Sequence, residues 1–258
     1  MDEHASFART RRRLLGAAGV LTAVLMVAAA VGAAIAPGSV LAQQGAGDKV
    51  PIGIIGGGRI GGTIGGLWLK AGHPVMFSSR HPEELKDLVD KLGPLAHAGT
   101  VQQAIAFSNV LFIAVPYSAV PQVGEENAAA LKGKIMLDAC NAVAARDGAP
   151  IADEVEKDGI GVTSQKYLPG TRLVRAFNTM SYMIFAREAN RPDPKLAIPI
   201  AGDDAQAVQV AAGLIRDAGF DPVIVGKLAD ARRFQRGGPG WGQSVTAAEL
   251  KQKLSLAP

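Results

Sequence analysis

Val50-Pro51-Ile52-Gly53-Ile54-Ile55-Gly56-Gly57-Gly58-Arg59-Ile60-Gly61 joins a short apolar run to a glycine cluster and then to a helical pattern. The run 50–55 has strand length and no charge, as in a strand covered on both faces. From Ile60 onward Ile64, Leu67, Trp68 and Ala71 recur at helical spacing, and Gly72 stops the helix. The spacing Gly56-x-Gly58-x-x-Gly61 therefore stands directly after a strand and opens a helix, the setting in which this pattern signifies a dinucleotide site. Gly56 permits the tight turn, Gly58 lets a pyrophosphate approach the backbone, and Gly61 lets helix and strand pack closely. The free amides of the helix start then face the phosphates.

Outward from this stretch the same alternation repeats. Strands are expected at 74–77, 109–115, 135–138, 173–177, 196–201 and 222–225, with helices between them, including 82–92 with Pro82 in its first turn. Asp203 is read as the cap of a helix whose apolar face holds Val208, Ala211, Ala212, Ile215 and Ala218. The fold class is α/β: a doubly wound, mainly parallel Rossmann-type sheet with a small C-terminal extension. The dinucleotide-binding domain is assigned to residues 49–180, and 181–258 completes the sheet and a second-substrate pocket. After Leu228 the chain turns rich in glycine and proline, so the tail is read as a loop closing over something.

The end of the second strand reads the ribose. NAD binders place a carboxylate there, roughly 20 residues past the glycines. This chain has Ser78-Ser79-Arg80-His81, a hydroxyl and a guanidinium that bind a ribose phosphate, so NADP is favoured over NAD. Composition sets the outer bounds. A formal net charge of +4 without a Lys/Arg stripe interleaved with aromatics speaks against nucleic acid. A single cysteine, Cys140, excludes both an internal disulfide and a zinc site of paired cysteines, and no metal site is expected.

Residues 1–42 read as an address. Thr10-Arg11-Arg12-Arg13-Leu14-Leu15-Gly16 opens an uncharged Ala/Gly/Val-rich run to Ile35, and Val40-Leu41-Ala42 supplies a cleavage pattern before Gln43. The run is similar to the twin-arginine signal signature, which implies export of the folded, cofactor-loaded protein to the periplasm or cell envelope. The other reading is an uncleaved membrane anchor. In either case the membrane is met only through this segment.

Several further pieces carry a family likeness: Ile52-Gly53-Ile54-Ile55-Gly56-Gly57-Gly58, Ser78-Ser79-Arg80-His81-Pro82-Glu83-Glu84-Leu85, Ala114-Val115-Pro116-Tyr117, Asp138-Ala139-Cys140-Asn141, Arg175-Ala176-Phe177-Asn178-Thr179, Gly202-Asp203-Asp204, Asp217-Ala218-Gly219-Phe220 and Leu228-Ala229-Asp230-Ala231-Arg232. Together they resemble the NADP-dependent oxidoreductases that use the deazaflavin coenzyme F-420. The resemblance implies an enzyme in which Gly57, Gly58, Arg59 and Ile60, between the motif glycines Gly56 and Gly61, hold the pyrophosphate, with Ser79 and Arg80 on the ribose phosphate. It places Ala114, Val115 and Pro116 beside the nicotinamide. Asn178 and Thr179 are candidates to donate hydrogen bonds to the carboxamide or to the second substrate, or else to cap a helix. The partner implied is a deazaflavin or flavin-like small molecule, and a homo-oligomer is compatible with the reading. Ala142 stands where the family commonly has proline, and Phe234-Gln235 replace its usual closing residues.

Hydride transfer between two flat rings needs little side-chain acid–base chemistry, so no catalytic residue is assigned. Lys166 is read as an exposed helix lysine rather than a catalytic one, and Cys140 as a packed small residue rather than a redox thiol. The competing readings are a reductase of another small acceptor, such as a flavin or an imine, and an exported, non-catalytic NADP-binding protein.

Overall fold

The computed structural model describes residues 49–257, so the signal reading of residues 1–42 lies outside the described residues. The chain runs β1 (Ile52–Ile55), α1 (Arg59–Lys70), β2 (Val75–Ser78), α2 (Lys86–Leu92), β3 (Ala96–Gly99), α3 (Val101–Phe107), β4 (Val110–Ile113), α4 (Val120–Leu131) and β5 (Ile135–Asp138). It continues through α5 (Ala144–Asp147), α6 (Ala149–Asp158), α7 (Ile160–Tyr167), β6 (Arg172–Arg175), α8 (Tyr182–Glu188), β7 (Ala197–Gly202), α9 (Ala205–Asp217), β8 (Asp221–Gly226) and α10 (Ala247–Lys253). The eight strands form one sheet in the order β3-β2-β1-β4-β5-β6-β7-β8, and only the β6–β7 pair is antiparallel. The doubly wound α/β expectation is met. Strand order reverses between β1 and β4, and in such sheets ligands bind at the carboxyl ends of the strands flanking that reversal.

Both faces of the sheet are covered, which explains why β1, β4 and β5 are uninterrupted apolar or buried runs. On one face Ile64 and Trp68 of α1, Phe185 of α8 and Val208, Ala211 and Ile215 of α9 pack on Ile54, Phe112 and Ile198. On the other, Val120 and Leu131 of α4, Ile160 of α7 and Leu250 of α10 pack on Ile55, Leu111 and Met136. The few aromatic residues are concentrated in the first layer. Trp68 meets Phe112 and Phe177 edge-on at 5.2 and 5.9 Å, and Phe177 meets Phe185 at 5.6 Å. The Trp68 indole N–H donates to the Leu214 carbonyl at 2.8 Å, tying α1 to α9.

Two local readings are corrected. The cap of α9 is Asp204, whose side chain accepts from the Ala207 N–H at 2.8 Å, while Asp203 accepts from the Leu228 N–H at 3.0 Å. Adjacent aspartates offer two registers, and Arg172 settles the choice by a bidentate bond to Asp204 at 2.7 and 3.0 Å. The tail is not all loop either. It contains a 3-10 helix over Leu228–Phe234 and then α10, which Thr246 and Glu249 open as a capping box. No described helix is long and apolar enough to cross a membrane.

Candidate active site

The glycine loop turns as its sequence requires. Gly56 has φ +105°, open to glycine and strained for other residues. A Cβ on Gly61 would stand 2.0 Å from the Gly56 carbonyl oxygen, so helix and loop touch backbone to backbone. A Cβ on Gly58 would meet nothing within 4 Å, which leaves the space over the helix start free for a phosphate to approach. The Gly56 and Gly57 amides both donate to the Ser78 carbonyl, at 3.2 and 2.9 Å. These two residues therefore lock the loop to β2, and the unspent amides of the first turn belong to Arg59, Ile60 and Gly61. The residues fit a pyrophosphate on an observation of shape: of Gly56, Gly57, Gly58 and Gly61, only Gly58 has open space where a side chain would stand, and it faces the helix start.

Ser79 and Arg80 follow directly. Ser78 is buried, with its hydroxyl donating to the Ile54 carbonyl at 2.8 Å, so it braces β1 against β2. Ser79 is half-buried and accepts from the His81 N–H at 3.1 Å, which fixes the turn. Arg80 is exposed and makes no ion pair among the described residues. Its guanidinium is thus available at the edge of the loop.

A cleft of about 580 Å³ opens at the carboxyl ends of β1, β4, β5 and β6. Its near wall continues from the glycine loop through Arg59, Ile60, Ala114, Val115 and Pro116, with Ala139, Cys140 and Asn141 as the floor. The far wall comes from Asn178, Thr179, Met180, Ser181 and Ile184, closed by Trp241 and Gly242 of the tail. The tail's role as a cover was read from the sequence; that Trp241 is its contribution was not. Two bonds join the tail to the far wall. The Gly242 N–H donates to the Thr179 carbonyl at 3.1 Å, and the Asn178 side-chain amide donates to the Phe234 carbonyl at 3.1 Å.

A buried ion pair lies under the floor. Asp138 ends β5, Arg175 ends β6, and their side chains, both 0% exposed, bind one another. The second Arg175 amino group donates to the Cys140 carbonyl at 2.6 Å, and the Cys140 N–H donates to Asp138 at 2.8 Å. The turn beneath the cleft is thereby clamped from both directions. Burial, with the Asp138 charge adding to it, pushes the Cys140 thiol well up, so it stays protonated and packed. Burial likewise raises the nearby Tyr117 hydroxyl, which shares a hydrogen bond with Ser164 at 3.0 Å.

At the rim Arg146 donates to the Asn141 carbonyl at 2.6 Å and to the Asp147 carboxylate at 2.8 Å. Burial opposes ionisation of Asp147, but the Arg146 bonds and the Val143 and Ser118 amides outweigh it and bring its pKa to about 2. Lys166 lies outside the cleft on α7, bound to Glu154. His73 is structural: its ring bridges the Val50 carbonyl at 2.8 Å and Asp217 at 3.0 Å. Among the described residues neither a histidine nor a carboxylate lines the cleft, whose ionisable side chains are those of Arg59, Arg146 and Cys140.

Asn178 and Thr179 stand on the far wall, but not as helix caps. Ser181 occupies the N-cap position of α8. Phe177, directly before them, is buried with φ +58°, a left-handed conformation rare for an aromatic residue. The chain turns there out of the strand direction, and both residues that follow line the cleft. Among the described residues, no group of histidine, cysteine and carboxylate side chains is placed to hold a metal.

Residues 51–142 match the family model described as NADP oxidoreductase, coenzyme F420-dependent. The match covers the glycine loop, Ser79-Arg80 and the Ala114–Pro116 turn. The metalloreductase STEAP3 of Rattus norvegicus is 26% identical over 191 residues, 71% of this chain and 35% of that protein. The chain thus spans about a third of the length of that relative. Among solved structures, a hypothetical protein from Sinorhizobium meliloti has a TM-score of 0.64 at 26% identity, covering 77% of this chain and 95% of that one. A putative F420-dependent NADP-reductase from an Arthrobacter species has a TM-score of 0.59 at 23% identity, covering 71% and 87%.

Proposed function

We propose that this protein moves a hydride between the nicotinamide of NADP(H) and a deazaflavin or flavin-like acceptor bound in the same cleft. The observation that carries the reading is the contrast between the cleft's volume and its chemistry. About 580 Å³ at the strand ends gives room for a second flat ring beside the nicotinamide, yet among the described residues no histidine or carboxylate lines it. Reduction of a carbonyl or imine calls for a proton donor at the reacting atom. Transfer between two conjugated rings calls mainly for alignment and exclusion of water.

The bound NADPH would supply the hydride. The chain's own part is positional. The Arg59, Ile60 and Gly61 amides hold the pyrophosphate, Ser79 and Arg80 hold the ribose phosphate, and Val115 and Pro116 back the nicotinamide. Trp241 and the tail residues around it cover the cleft against water. Residues 49–180 then serve the cofactor up to the turn at Phe177, and 181–258 complete the acceptor side that Asn178 and Thr179 begin. With residues 1–42 as a twin-arginine signal, the loaded protein would act outside the cytoplasmic membrane; changing Arg11 and Arg12 to lysine should then hold it in the cytoplasm.

The test of the reaction is isotopic. With NADPH deuterated at nicotinamide C4 on the transferred side, the reduced deazaflavin should carry deuterium on its reacting ring carbon. Reduced product with hydrogen from water at that carbon, or no turnover with any deazaflavin or flavin, would overturn the reading.

A further inference from the structure

Two polar atoms on the far wall have no partner among the described residues: the Asn178 side-chain oxygen and the Thr179 hydroxyl, each buried below 1 Å² of exposed atom surface. Both residues are 2% exposed, and both line the cleft. Leaving such groups unpaired is costly, and native proteins satisfy nearly all of them. The orientation of Asn178 is fixed by chemistry. The Phe234 carbonyl only accepts, so the group facing it at 3.1 Å is the amide nitrogen, and the oxygen is the end left over. Asn178 therefore offers the ligand an acceptor, where the sequence suggested a donor. The Thr179 hydroxyl beside it can donate. The strained φ of +58° at Phe177 turns the backbone just before this pair, at the edge of the cleft.

From these observations we infer that Asn178 and Thr179 form a specificity site for the acceptor, reading an edge on which a ring N–H stands next to a ring carbonyl. The N–H would donate to the Asn178 oxygen, and the Thr179 hydroxyl would donate to the carbonyl. An imide edge, such as the pyrimidine end of a flavin or deazaflavin, presents that sequence of groups. A carboxamide offers the same two functions, but the pair stands opposite the wall formed by Ala114, Val115 and Pro116, on the Trp241 side of the cleft. The assignment rests on the proposed flavin-like acceptor and makes it specific: the ring must keep its imide N–H.

The experiment uses the full chain loaded with NADPH and two probes, riboflavin and its N3-methyl derivative, in which the imide N–H is replaced by a methyl group. Riboflavin should bind about ten- to a hundredfold more tightly than the methylated probe. Thr179→Val, nearly isosteric, should raise the riboflavin Kd or KM about tenfold while leaving the NADPH Kd within about twofold. Equal binding of the two probes would overturn the edge assignment and leave the flavin-like acceptor standing. Binding of neither would overturn the acceptor reading, and the edge assignment with it. If Thr179→Val instead weakens NADPH, the pair belongs to the carboxamide and the proposal fails. Because the first comparison changes the probe and not the protein, it holds even if the variant does not fold.

Discussion

The two walls of the cleft are made in different ways. The near wall is backbone: glycines that turn or allow contact, amides of a helix start, and the short Ala114–Pro116 turn. It comes from one contiguous stretch of the chain, inside residues 51–142, the part that matches the oxidoreductase family model. The far wall is side chain. It joins the segment after β6 to Trp241, some sixty residues further on, through two hydrogen bonds. A backbone wall suits a ligand that every relative shares, since it constrains few residue identities. A side-chain wall can change its ligand through single substitutions. That division fits a constant cofactor facing an acceptor that varies, and it can be broken at several points.

The largest effect is expected at the joint between the walls. Asp138→Ala leaves Arg175 charged, buried and without its partner, which costs about 3–5 kcal/mol. At roughly 2–4 °C per kcal/mol for a chain of this size, the Tm should fall by about 6–20 °C. A change within about 1 °C, read by thermal melting monitored by circular dichroism, would show that the pair is not what clamps the floor.

Next come two alanines in the same loop. Gly61→Ala drives a Cβ into the Gly56 carbonyl, 2.0 Å away, and should cost about 3 kcal/mol of stability. Gly58→Ala meets no protein atom and has an ordinary φ of −72°, so stability should be unchanged while NADPH affinity falls at least about tenfold. If both variants lose stability alike, Gly58 is a packing glycine and the phosphate reading of the near wall fails.

At the ribose end, Arg80→Ala should weaken NADPH by about ten- to a hundredfold and NADH by less than about twofold, the loss of a charge-assisted contact. Equal losses for the two nucleotides, measured by titration, would remove Arg80 from the phosphate site.

The smallest expected effect lies away from both walls and checks that the sheet's second half is independently braced. Asp204 has its pKa lowered from 3.8 to about 2, chiefly by the Arg172 bonds and then by the Ala207 amide. A carboxylate depressed on folding stabilises above its unfolded pKa, and that contribution is lost as pH falls through the folded value. The Tm gap between wild type and Asp204→Ala should therefore be steady above about pH 5 and shrink from pH 4 towards pH 2. The gap at neutral pH should correspond to about 1 kcal/mol, as for a lost helix cap. A gap that does not narrow in acid would mean the carboxylate's charge is not what stabilises.

What was legible in the sequence follows the same division. Gly56, Gly58 and Gly61 could be read because backbone demands select residue type directly, and the buried strands because coverage on both faces removes every polar position. Arg172 shows where this stops. Its choice of Asp204 over Asp203 depends on a residue thirty positions away, which no local pattern records. Asn178 was singled out as a donor, but its amide hydrogen goes to the Phe234 carbonyl, a partner in the tail that no local pattern announces. Trp241 carried no local signal at all, and α10 lay hidden behind the glycine-rich stretch 236–242. Its Thr246/Glu249 capping box was the available clue.

The most direct test of the account is a titration of the full-length protein with NADPH and with NADH under identical salt. The account predicts a single site with NADPH bound at least about tenfold more tightly. Equal affinity for the two, or no binding of either, would contradict it, because the glycine loop, Ser79 and Arg80 would then not form the cofactor site on which every other assignment depends.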